Sequence, residues 1–242
     1  MKTIKLLNTG ATNAKILKSQ NGTEFKIASL SLYPNNIICP GAKAADCMRL
    51  CLKDSGFADI FASVNLARKA KTEFYMTDQK SFILKLKKEI AAFERKCKRD
   101  GFGAVFRLNT ISDIDWTKHE IPQEFNSCLF YDYTKRVNSL QTGLSNYRKI
   151  FSYSGTATYT GSVSKALKTQ YPIAVVFRDI VPVGRFFLGR EIINGDKSDL
   201  INTTAFNKVC GLTLKGNSNK KEQGLFIVEP GQAIESPYER AA

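Results

Sequence analysis

Three of the six cysteines stand close together as Cys39-x7-Cys47-x3-Cys51. Thiolate is a soft ligand, and a cluster of thiolates points to zinc or to an iron–sulfur centre. Cys39 comes from a loop, where Pro40–Gly41 permits a tight turn, and a helical pattern starts at Ala44. On such a helix Cys47 and Cys51, four apart, share a face. The trio has no fourth cysteine nearby and no histidine, so it falls one ligand short of a closed structural zinc site. A [4Fe–4S] cubane held by three cysteines is the better match, with one iron left open to water, a protein oxygen or a substrate. Zinc is the alternative ligand, and three unrelated reduced thiols are the simplest alternative of all.

The chain has one histidine in 242 residues, His119. Catalytic triads, histidine-rich zinc sites and facial-triad iron sites therefore fit poorly. His119 reads as a surface residue rather than a ligand, because no cysteine is spaced to partner it. Proton transfer would fall to carboxylates and lysines. Asp132 or Asp196 would be the acid/base and Lys135 or Lys215 the anion clamp, with Asn109, Asp113 and Ser152 on the substrate side. Asp132 stands out because an aspartate between Tyr131 and Tyr133 in an apolar run needs a partner. Cys97, Cys128 and Cys210 are isolated and read as core fillers.

These residues need a scaffold that brings them together. Apolar runs at Phe25–Leu32, Ala104–Leu108, Cys128–Tyr133, Lys149–Tyr153, Ile173–Phe177, Arg190–Ile193, Val209–Leu214 and Leu225–Val228 read as strands. Helical or loop segments separate several of them. Runs such as Ile173–Phe177 are apolar on both parities, as in parallel strands covered on both faces. Asp78–Arg99 is the clearest helix, with Thr77 or Asp78 as N-cap, a stripe of Phe82, Ile83, Leu86, Ile90 and Phe93, and Asp100–Gly101 as its end. A further helix is expected over Phe57–Thr72. Thr3–Leu7 and Ala14–Lys18 read as short strands. The sum is an α/β protein, a TIM-barrel-like (β/α) barrel, incomplete or irregular, with an N-terminal β-hairpin extension. Its divisions in a single domain are an N-terminal extension over 1–25, a barrel-like core over 26–230 and a tail over 231–242. In such folds ligands sit at the carboxyl ends of the strands, which is where the candidate residues fall.

The ordered set Cys39–Pro40–Gly41…Cys47…Cys51, Phe106–Arg107–Leu108–Asn109…Ser112–Asp113–Ile114–Asp115–Trp116, Phe130–Tyr131–Asp132–Tyr133–Thr134–Lys135, Asn194–Gly195–Asp196…Asp199 and Gly211–Leu212–Thr213–Leu214–Lys215–Gly216 resembles the bacteriophage "gene product 88" family. The resemblance runs from about Ile27 to Val228. It implies a viral origin and an iron–sulfur protein with a barrel-like fold, and it implies no particular reaction. A looser similarity is to the radical S-adenosylmethionine enzymes, whose three cluster cysteines follow the first barrel strand. Their usual spacing is C-x3-C-x2-C, where this chain has seven and three residues, and S-adenosylmethionine is the cofactor that similarity would imply.

The net charge of +14 admits attraction to nucleic acid, although the lysines are spread over helix surface, as at Lys85, Lys87, Lys88 and Lys96. No apolar run reaches the roughly 20 residues of a membrane span, and the N-terminus has no apolar signal region. The expected setting is the cytoplasm of an infected bacterial host, without secretion and without membrane contact. The sequence leaves three readings. One is an iron–sulfur enzyme with redox or radical chemistry on a small molecule. Another is a non-catalytic cluster protein serving a redox partner. The last is a basic nucleic-acid-associated protein with structural zinc.

Overall fold

The longest helix shows how this sequence builds its core. In the computed structural model, which describes residues 4–9, 14–48, 51, 61–215 and 224–236, helix α3 spans Gln79–Arg99. The Asp78 side chain accepts from the Ser81 amide at 3.1 Å and satisfies one of its orphan donors. Phe82, Leu86 and Ile90 recur every four residues and are fully buried. They pack on Ala28, Leu30, Ala104, Phe106 and Phe130 of three neighbouring strands. Burying side chains of this size stabilises by about 1.5–3 kcal/mol each. The preceding helix α2 (Ala62–Thr77) starts and ends later than the expected Phe57–Thr72; residues 57–60 lie outside the described residues.

The strands are β1 (Leu7–Thr9), β2 (Phe25–Leu30), β3 (Gly103–Arg107), β4 (Leu129–Thr134), β5 (Tyr147–Ser152), β6 (Ile173–Phe177), β7 (Phe186–Phe187), β8 (Arg190–Asn194), β9 (Val209–Thr213) and β10 (Ile227–Val228). Their order is β1-β2-β3-β4-β5-β6-β9-β8-β7. From β2 to β8 along this path every pairing is parallel, and antiparallel β1 and β7 form the two ends. Between β2 and β6 the order follows the chain and lacks the reversal of a doubly wound sheet. The path among the described strands is open. Strand β6 is bonded to β5 at Ile173 and Ala174, then to β10 at Val176 and Phe177, so β10 takes the edge that β5 leaves.

Alternate residues face opposite ways. On one face lie α3 and, further along, α4 (Thr160–Leu167), whose Val163 and Ala166 pack on Phe151, Ile173 and Val175. On the other, Ile27, Val105 and Tyr131 pack against Ile16 of helix α1 (Ala14–Gln20). That helix corrects the strand expected over Ala14–Lys18. A short apolar pair, Ile16–Leu17, has no readable period, and the Ala, Lys, Leu and Gln around it favour helix. The N-terminal extension is therefore β–α–β, with Leu7 opposite Leu30 across α1, and not a hairpin. The first strand also begins at Leu7 where Thr3–Leu7 was expected.

Candidate functional site

The loop after β2 carries the cysteines. The Asn35 side chain accepts from the Ile37 and Ile38 amides, and the Cys39 amide reaches the Asn35 carbonyl at 2.9 Å. Residues 41–46 then form consecutive turns, with the Cys47 amide donating to the Ala42 carbonyl at 3.0 Å. The helix expected from Ala44 is thus absent up to residue 48, so Cys47 shares no helix face with Cys51. Asp46 takes a left-handed backbone conformation (φ 53°), which ends a right-handed turn. Its carboxylate accepts from the Leu225 amide instead. The loop is fastened from outside by Ser154 and Thr156, whose hydroxyls donate to the carbonyls of Ala45 and Ala44. Gly41 is required by close approach: a Cβ there would lie 2.7 Å from the Tyr159 hydroxyl and 3.0 Å from the Lys135 Cβ.

Cys39, Cys47 and Cys51 all line one cavity of about 370 Å³. So do Asn109, Asp113, Lys135, Ser152, Asp196 and Lys215, each from the carboxyl end of a different strand or the loop after it, with Asn109 and Asp113 sharing β3. This is the position at which parallel α/β sheets place their ligands. Of the residues expected from sequence, only Asp132 is missing from the cavity wall.

Asp132 sits on the helix-covered face, 2% exposed. It accepts from the Asn109 amide at 2.7 Å, the Asn109 side chain at 3.0 Å and the Tyr147 hydroxyl at 2.6 Å. Burial outweighs these bonds and raises its pKa to about 6. The expected acid/base is thus a bracket for the β3 loop, the explanation being that its parity in β4 points it away from the ligand face. Asn109 is also fully used: its amide donates to Ile114, and its carbonyl accepts from the Ser112 hydroxyl and the Ile114 amide. Asp113 accepts from the Thr134 hydroxyl and the Lys135 amide, joining the β3 and β4 loops.

The remaining groups have a chemical character. Burial, then the neighbouring Cys51, Asp113 and Cys47, push the Cys39 thiol up to about 12, and its Sγ donates to the Ile111 carbonyl at 3.3 Å. Burial raises Cys47 too, while Lys135 pulls it back. Burial lowers Lys135 to about 8, against the pull of Cys47 and Asp113, and its ammonium donates to the Tyr153 carbonyl. Asp196 accepts from the Thr213 amide and pairs with Lys215 at 3.2 Å. Among the described residues, no three His, Cys, Asp or Glu side chains are already disposed to grip a metal ion.

Sequence reading assigns no role to the floor of the cavity. Arg107, at the end of β3, donates from Nη1 to Asp199 at 2.8 Å. Asp199 opens the short helix α5 (Asp199–Asn202), is fully buried, and also accepts from the hydroxyls of Tyr131 and Tyr133. Burial alone would disfavour the guanidinium, and the carboxylate of Asp199 more than offsets it, so Arg107 stays charged. Burial and then Asp199 drive both tyrosines well above their ordinary pKa. A charged residue ending an apolar strand was the available signal; its partner, 92 residues away, was not.

Cys97, Cys128 and Cys210 are buried away from the cavity, and none of the six cysteines is in a disulfide. His119, expected at the surface, is half-buried: its Nε2 lies 3.1 Å from the Tyr75 hydroxyl, and its ring packs near Trp116. It lines a separate groove and not the thiol cavity.

Among the described residues no helix is long and apolar enough to cross a membrane. Neither the curated proteins nor the solved structures gave a match. The family model of Gene product 88, however, matches residues 4–228, a span that holds every residue of the cavity wall. A viral origin is consistent with that match, and the chain belongs to the Gene product 88 family.

Proposed function

We propose that this is a phage iron–sulfur protein that holds a [4Fe–4S] cluster on Cys39, Cys47 and Cys51 at the carboxyl edge of an incomplete barrel. The observation that carries the reading is the convergence of those three thiols on one cavity from a loop pinned at both ends. Burial raises the pKa of Cys39 and Cys47, and at Cys39 the neighbouring thiols add to it, while Lys135 partly offsets the rise at Cys47. A polyvalent cationic core counters that rise and makes deprotonation favourable. Three ligands suit a cluster with an open iron better than a closed zinc site. The bound cluster would supply one-electron chemistry. Lys135 balances the charge of the thiolates, and Asp196 with Lys215 offers a proton donor and acceptor across the cavity. Asp113 positions the lysine by holding its backbone. Cysteines outside any disulfide suit the cytoplasm of the infected host.

The test is anaerobic purification with iron and sulfide analysis. The expected protein is brown and carries acid-labile sulfide in proportion to iron. Cys39→Ala loses the colour and Cys128→Ala keeps it. Colourless protein with stoichiometric zinc refutes the reading.

A further inference from the structure

Arg107 has more hydrogen-bonding capacity than its partners use. Its side chain lines the thiol cavity and is 8% exposed as a residue. Nη1 is taken by Asp199 at 2.8 Å, whereas Nε is buried and makes no hydrogen bond. The Nε edge of a guanidinium is a planar fork that matches the two oxygens of a carboxylate. The plane is fixed from one side by the Tyr133 ring, whose centroid is 4.8 Å from the guanidinium carbon. A second orphan lies on the same cavity wall, the buried and unpartnered hydroxyl of Thr110. Leaving buried donors without acceptors is unfavourable, and a bound acceptor removes that cost.

The cations above this floor are engaged differently. Lys135 donates to Tyr153, and Lys215 pairs with Asp196. One planar fork and one hydroxyl match the two coplanar oxygens of a carboxylate and leave a phosphate group with oxygens to spare. We propose that Arg107 anchors the carboxylate of a small carboxylic acid in this cavity, with the Thr110 hydroxyl as second donor. The proposal rests on the reading above only in that it places this acid beside the cysteine-held cluster. Asp199 and the two tyrosines are positioning residues: Asp199 holds the guanidinium, the tyrosine hydroxyls hold Asp199, and the Tyr133 ring covers one side of the guanidinium.

The test is calorimetric titration of the full chain with pyruvate, malonate and inorganic phosphate, with iron and sulfide measured on the same samples. At least one of the two carboxylates binds the wild type more tightly than phosphate does. Thr110→Val raises its Kd about tenfold, and Arg107→Lys, which keeps a cation beside Asp199, raises it about a hundredfold. Circular dichroism and the thermal midpoint of each variant establish that it is folded, and Thr110→Val decides the matter if Arg107→Lys is not. The proposal is overturned if neither carboxylate binds, if phosphate binds as tightly, or if the folded variants bind like wild type. Carboxylate binding by iron-free protein removes the cluster and leaves this inference intact. Cluster-loaded protein that binds neither carboxylate removes this inference alone.

Discussion

Asp132 offers the sharpest quantitative test of how the site is supported. Its ordinary pKa of 3.8 rises to about 6 in the fold because burial outweighs three hydrogen bonds. A shift of that size corresponds to about 3 kcal/mol of coupling between protonation and folding. Native protein keeps a proton, between pH 3.8 and about 6, that the unfolded chain has released. The contribution of Asp132 to stability is therefore full below the lower value and is lost as pH rises through the upper one. Asp132→Asn supplies the reference, since it cannot ionise. Asparagine also presents an NH2 group where Oδ2 accepts from Asn109 and Tyr147, so the variant is destabilised at every pH. The informative quantity is how the difference between the two proteins changes. Urea unfolding from about pH 3.5 to about pH 7.5 should show the stability of wild type falling relative to Asp132→Asn by about 3 kcal/mol. A difference that is flat, or that moves in favour of wild type as pH rises, refutes the account of a desolvated carboxyl bracing the β3 loop.

Asp199→Asn leaves Arg107 buried without its counter-charge and should destabilise the fold by about 3–5 kcal/mol in urea titrations. Gly41→Ala brings a methyl to 2.7 Å from the Tyr159 hydroxyl. It should cost about 1–3 kcal/mol and displace the cysteine loop, read as lost iron incorporation in a protein that remains folded. With the Cys39 thiol moved from 9.0 to about 12, its thiolate fraction near neutral pH falls about a thousandfold. Mass spectrometry of iodoacetamide-treated, metal-free protein should find it among the last cysteines labelled, and rapid labelling would contradict the burial described.

What the sequence revealed followed from local pattern. Asp78–Arg99 has a cap, a stripe of period near four and a terminating glycine, and it folds as read, with Asp78 as the residue before Gln79. Strands such as Ile173–Phe177 were legible because continuous apolar runs of that length leave little choice. The cavity wall was legible at one remove: polar residues after apolar strands land at one edge of a parallel sheet, and nine of the expected residues do so. The failures have physical causes too. Ile16–Leu17 is too short to show a period. The turns at 41–46 are set by contacts with Ser154, Thr156 and Tyr159, more than a hundred residues away, which no local propensity reflects. Asp132, the candidate acid/base, lies outside the cavity wall because one residue of parity reverses a side chain in a strand. The Arg107–Asp199 floor depends on a pairing that spacing alone does not show.

The strand β10 beside β6 has a consequence for biosynthesis. Phe226 lines the cavity, the Leu225 amide holds Asp46 across a separation of 179 residues, and Ser19 meets Asp199 across 180. The pocket joins segments about 180 residues apart in the chain, so its wall is complete only once Phe226 has been made and has packed against the rest. Contacts of such long range also make for slow folding. A prosthetic group that needs the complete wall is therefore acquired only after Phe226 has been made, and a chain cut short before Leu225 would keep its cysteines and lose one of the contacts that hold their loop.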